Sequence, residues 1–128
     1  MKTLEYREVY LSGPMTGIED HGIPAFAAAH AKINGLMPMG VYDPGQEALR
    51  LRSIDPDDHD SWMTRSLHEL TRPDLRRRRL LVSLPGWERS EGATIERAVA
   101  EACGIACADL DEILEEYGAE ASEKGNEK

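Results

Sequence analysis

The chain has 128 residues, of which 41% are hydrophobic and 30% charged, the proportions of a single globular domain. No apolar run approaches the roughly 18 residues that a membrane span needs, and the opening MKTLEYREVY places Glu5, Arg7 and Glu8 where an export signal is apolar, so a cytoplasmic chain with free thiols at Cys103 and Cys107 is expected. Residues 109–128 contribute −6 of the net charge of −9, which leaves a nearly balanced body without the basic face that duplex nucleic acid requires.

In chain order, Glu8-Val9-Tyr10-Leu11-Ser12 predicts a short strand that Gly13-Pro14 closes. From Pro24, the three- and four-residue spacing of Phe26, Ala29 and Ile33 predicts an amphipathic helix that Asn34-Gly35 ends. Leu36 to Tyr42 predicts a second strand, which Pro38 and Gly40 push to a sheet edge. Asp43-Pro44-Gly45 predicts a turn, and residues 46–60 a polar loop. The acidic run Asp55 to Asp60 is no calcium loop, because Asp60 and Ser66 stand where an EF-hand has Gly and Glu. A helix capped near Asp60 or Ser61 follows, with Trp62, Leu67 and Leu70 on one face, His68 on the surface and Arg72-Pro73 as its stop. Arg76 to Arg79 cannot share one helix face and read as a solvated turn or helix end.

Leu80 to Leu84 is an almost continuous apolar run, as in a strand covered on both faces. Pro85 to Ser90 forms a loop, and Ala93, Ile95, Ala98, Val99 and Ala102 mark a helix that runs to about Cys103 and stops at Gly104. Ile105 to Ala108 predicts a fourth strand, and Asp109 or Asp111 caps a last helix carrying Leu110, Ile113, Leu114 and Tyr117. The domain is therefore expected over residues 1–117. Residues 118–128, almost without large apolar side chains, are expected to form a disordered acidic tail. Strands alternating with helices imply an α/β fold with a parallel sheet covered on both faces.

Ligands of such sheets bind beyond the carboxyl ends of the strands, where helix starts offer N–H groups to anions. Two loops qualify: Ser12-Gly13-Pro14-Met15-Thr16-Gly17, and Leu84-Pro85-Gly86-Trp87-Glu88-Arg89-Ser90-Glu91-Gly92-Ala93. Neither is a Walker A loop or a full dinucleotide fingerprint.

Together, YLSGPMTG over residues 10–17, Pro24-Ala25-Phe26, and LPGWERSEGATIE over residues 84–96 resemble the phage and bacterial proteins related to nucleoside 2-deoxyribosyltransferases. The resemblance spans about residues 9–110. It implies a flavodoxin-like three-layer sandwich with four to five parallel strands, no metal and no cofactor. It also implies N-glycosidic bond chemistry on a (deoxy)nucleoside or its 5′-monophosphate, and a possible homo-oligomer. Glu96 matches the family's nucleophilic glutamate. A helix starting near Ser90 puts Glu96 in its early turns, where the positive helix end favours an ionised carboxylate. Ser12, Gly13, Pro14 and Met15 would line the sugar or base side. Ser90, Gly92 and Ala93 would face the 5′ end, and Trp87 would cover a base or pack beside the strand end. Ser90 resembles the monophosphate hydrolase branch, since the transferases tend to carry aspartate there, although a helix N-cap explains the same serine. Leu84-Pro85-Gly86 with Gly92 and Glu96 is also similar to phosphoribohydrolases.

Three positions depart from the family pattern. Ser66 and Arg79 stand where relatives carry Asp, and Gly22 where they carry Asn. Asp74, Asp58 or Asp60 are the candidates to replace the missing carboxylate. A nucleotide-binding protein without turnover, or an interaction protein using the arginine block and acidic tail, are the alternatives.

Overall fold

A computed structural model of the chain describes residues 8–15, 19–36, 40–51, 55, 58–75 and 78–116. Its strands are β1 (Glu8–Ser12), β2 (Gly40–Tyr42), β3 (Arg79–Ser83) and β4 (Ala106–Asp109). They form a four-stranded sheet in the order β2-β1-β3-β4, with every pairing parallel. The helices are α1 (Ile23–Leu36), α2 (Pro44–Arg50), α3 (His59–Leu70), α4 (Glu91–Ala102) and α5 (residues 110–116). The result is a three-layer, flavodoxin-like α/β sandwich.

Alternation along the strands assigns each side chain to a layer. Val9, Leu11, Leu80 and Val82 point one way and pack with Phe26, Ala29 and Ile33 of α1 and Leu110 and Ile113 of α5. Tyr10 and Leu81 point the other way, against Leu70 of α3, Ala100 of α4 and Ile105. Each buried Leu or Ile stabilises the fold by roughly 1.5–3 kcal/mol. The second layer is also polar, because Glu8, Ser12, Arg79 and Ser83 share the alternation of Tyr10 and Leu81.

The structure corrects five expectations about the elements. Leu36, expected to open the second strand, is the last residue of α1, and β2 is Gly40–Tyr42. Helix α1 runs through Asn34-Gly35 to Leu36, because Leu36 still packs on the core. The exposed Gly35 costs only about 1 kcal/mol of helix propensity. Asp43-Pro44-Gly45 starts helix α2 instead of a simple turn: the Asp43 carboxylate accepts from the N–H groups of Gly45 and Gln46, and Pro44 occupies the first helical turn. Helix α3 begins at His59, two residues before Ser61, with Asp58 as its cap. Arg79 is no part of a solvated turn; it is the first residue of β3 and is 0% exposed. The predicted acidic tail, with Arg76 and Arg77, lies outside the described residues. Among the described residues no helix is long and apolar enough to cross a membrane.

The chain steps from β1 outward to β2 and then returns across β1 to β3. The loops after β1 and β3 therefore diverge, and a crevice opens between them at the carboxyl edge of the sheet.

Candidate active site

Helix α4 carries Glu96 into that crevice. Ser90 caps the helix, its hydroxyl oxygen accepting from the Ala93 N–H at 3.2 Å. One turn and a half later the Glu96 side chain turns under the cavity floor and is only 7% exposed. Two hydroxyls from the same face of β1 meet its carboxyl group. Ser12 Oγ donates to Oε1 at 3.2 Å, and the Tyr10 hydroxyl bonds Oε2. Tyr10 Oη also lies 3.1 Å from the Ser66 carbonyl oxygen.

Burial raises the Glu96 pKa to about 7, although both hydroxyls pull it down. Desolvation thus opposes the ionised carboxylate that the helix end was expected to favour. Tyr10 is raised well above 10, first by burial and then by the charge of Glu96, and remains a neutral donor. These groups can exist in two hydrogen-bonded arrangements. With Glu96 ionised, Tyr10 donates to the carboxylate. With Glu96 protonated, the acid donates to Tyr10 Oη and Tyr10 turns its own hydrogen to the Ser66 carbonyl.

Glu96 borders a cavity of about 440 Å³, within the range of small-molecule sites. Gly13 and Met15 close it from the β1 loop, and Arg89 to Ala93 from the loop and first turn before Glu96. The remaining wall is one stripe of α3, with His59, Trp62, Met63 and Ser66 repeating at helical spacing. Gly92 permits this approach of α3 to α4, because a Cβ there would lie 3.1 Å from Met63 Sδ. Among the described residues, no group of three or more His, Cys, Asp or Glu is placed to hold a metal ion.

Residues 7–109 match the family model described as Domain of unknown function (DUF4406). The chain belongs to this family. No curated protein and no solved structure matches it. The DUF4406 segment holds all four strands and every residue named above as lining the cavity.

Within this DUF4406 domain, Ser12, Gly13, Met15, Ser90, Gly92, Ala93 and Glu96 do converge on one cavity or its floor. Pro14 does not: it lines a neighbouring cavity of about 570 Å³ together with Lys32, Leu84 and Arg89. Trp87 does not line the chamber either. The short 3-10 turn Trp87–Arg89 swings its ring under Arg97, whose guanidinium carbon lies 4.5 Å from the ring centroid. Arg97 is held in turn by Asp109 at 2.7 Å and Ser83 at 3.1 Å. The three candidate replacements for the missing carboxylate are also excluded. Asp58 and Asp74 are spent on Ser61 and Arg72, Asp60 is exposed, and none lines the cavity, where Glu91 and Glu96 are the only carboxyl groups among the described residues.

Gly22, which stands where the resembled transferases carry Asn, meets a steric demand of this fold. Its φ is +74°, and a Cβ would fall 2.3 Å from the Pro14 carbonyl oxygen. Tyr10 is the functional residue that sequence reasoning passed over as a core strand residue. Its i, i+2 relation to Ser12 is the signal that puts both hydroxyls on one face.

Proposed function

We propose that the protein cleaves or exchanges the N-glycosidic bond of a (deoxy)nucleoside or its 5′-monophosphate, with Glu96 as nucleophile. The observation that carries this reading is a single buried carboxyl group, oriented by the Tyr10 and Ser12 hydroxyls, facing a chamber of nucleoside size. In the ionised form one carboxylate oxygen attacks the anomeric carbon. The C1′–N bond breaks with its electron pair passing to the base, which takes up a proton, and a glycosyl ester forms on Glu96. Water or a second base then displaces the ester, and the carboxylate is restored.

Each oxygen of Glu96 accepts from one hydroxyl, and a carboxylate oxygen that accepts one hydrogen bond keeps a second lone pair for the anomeric carbon. Ser90 suits the 5′ end. Its oxygen already accepts from the Ala93 N–H, which leaves its hydrogen to donate to a phosphate oxygen. A catalytically impaired nucleotide binder is the second reading, favoured by Ser66 standing on the cavity wall without a carboxyl group.

Incubation with a panel of nucleosides and 5′-monophosphates, with released base read by chromatography, separates the two. Turnover that disappears in Glu96→Gln, with ligand binding retained, supports the first. Binding without release of base from any member of the panel supports the second.

A further inference from the structure

Below Glu96, on the same face of the sheet, lies a charged cluster that the chemistry above leaves unused. Arg79 is fully buried. Its guanidinium bonds the carboxylates of Glu8 and Glu69 and the Glu69 carbonyl oxygen, joining β1, β3 and α3. Among the described residues the Nε of Arg79 has no hydrogen-bond partner. A buried ion cluster with an unsatisfied donor is a poor way to gain stability, since desolvation of the charges offsets most of their attraction.

What the cluster does achieve is to hold a ring. The guanidinium carbon lies 5.4 Å from the Tyr10 ring centroid, and the Tyr42 ring stacks on Tyr10 at 4.9 Å and an interplanar angle of 9°. Tyr10 is therefore gripped by a cation and an aromatic ring, and its only polar atom is the hydroxyl that meets Glu96.

We propose that Arg79 is a positioning residue for Glu96, fixing the Tyr10 ring so that its hydroxyl stays aligned on the carboxyl group. The charged and titratable groups around Tyr10 are Glu8 from β1, Tyr42 from β2, Arg79 from β3, Glu69 from α3 and Glu96 from α4. What an aligned Glu96 accomplishes rests on the function proposed above; the alignment itself does not.

The first measurement accordingly needs no turnover. Protein labelled with carbon-13 at the glutamate carboxyl carbons is titrated by NMR, the Glu96 signal being assigned by its loss in Glu96→Gln. In Arg79→Met, the Glu96 midpoint is expected to rise by roughly half a pH unit or more, because the carboxylate loses an aligned donor. Arg79→Lys, which keeps the charge without the planar fork, is expected to shift it less. The double variant Arg79→Met/Glu69→Gln removes one charge of each sign, keeps the net charge and relieves one of the two carboxylates that Arg79 pairs. Its midpoint is expected to stay raised, whereas a return to the wild-type value would assign the effect to charge alone and overturn the proposal.

Where Arg79→Met does not fold, Arg79→Lys and the double variant decide. A fall in melting temperature with an unmoved Glu96 midpoint in both would make Arg79 structural only and overturn the proposal. On a substrate found by the panel, kcat is expected to fall about ten-fold with KM within about two-fold. A moved midpoint in a protein that turns over nothing leaves Arg79 in its role and removes the glycosidic reading. An unmoved midpoint in an active protein removes the role of Arg79 alone.

Discussion

Glu96 keeps its proton in the folded chain up to a pH near 7, against 4.5 for an exposed glutamate. Between those two values the folded state binds more protons than the unfolded one, so stability falls as pH rises through that window. Replacing the group by a neutral isostere removes the penalty. Glu96→Gln is expected to be more stable than the wild type at pH 8, by on the order of 3 kcal/mol at most, and to lose that advantage near pH 4.5. Urea denaturation at the two pH values checks it. Under the proposed function the catalytic dependence runs the opposite way, since only a carboxylate would attack. The kcat/KM is expected to rise with pH through about 7. Ser90 supplies a second test at this scale. Ser90→Ala loses the bond to the Ala93 N–H, which costs about 1 kcal/mol of stability. It also removes the proposed phosphate donor, so a monophosphate is expected to bind about ten-fold more weakly while a nucleoside is barely affected. Calorimetric titration of both ligands into both proteins distinguishes a contact from a cap, because a cap alone weakens the two equally.

Helix α2 depends on one side chain. The Asp43 carboxylate caps it from Oδ1, and its Oδ2 lies 3.0 Å from His30 Nδ1, tying α2 to α1. Asp43→Ala is expected to cost about 1–2 kcal/mol, seen as a lower thermal midpoint. Asp43→Asn, which keeps a capping oxygen, is expected to recover most of the loss. The same helix shows where the sequence stops being readable. Its buried residues, Pro44, Gly45 and Ala48, give no helical stripe of large apolar side chains, and Asp-Pro-Gly serves a turn and a helix start equally well. By contrast, β3 and α4 were legible in outline, from an apolar run bounded by a turn and from the Ser90 and Gly104 stops, although α4 buries Ala93, Glu96 and Ala100 while Ile95, Ala98 and Ala102 of the expected stripe are exposed. The site followed the same division. Glu96, Ser12 and Ser90 lie in motifs of contiguous residues. The α3 wall of His59, Trp62, Met63 and Ser66 comes from a segment packed beside them only by the fold, and Arg79 reads as one of four arginines until its neighbours in β1 and α3 are in place.

Across the whole molecule the two faces of the sheet are built for different purposes. The α1/α5 side is a dry apolar layer, while the α3/α4 side carries the polar series from Ser12 down to Arg79. Changes on the dry side are expected to cost stability without touching the chemistry. Ile33→Ala and Ile113→Ala each remove a fully buried side chain and are expected to cost about 2–5 kcal/mol, measured by urea denaturation. The Glu96 titration should not move in either.

Tyr10 and Glu96, which meet in the site, are 86 residues apart in the chain. The segment from β3 through α4 to β4, by contrast, is contiguous and packs on itself. Closing the longer loop has the greater entropic cost, so it is favoured to close after the local unit has formed. Disrupting the Tyr10–Glu96 contact with Tyr10→Phe should then leave the folding rate nearly unchanged and register almost wholly in the rate of unfolding. Docking β1 between β2 and β3 completes the sheet and in the same step brings Tyr10 and Ser12 to Glu96, so the site would be the last part of the molecule to assemble, together with the sheet.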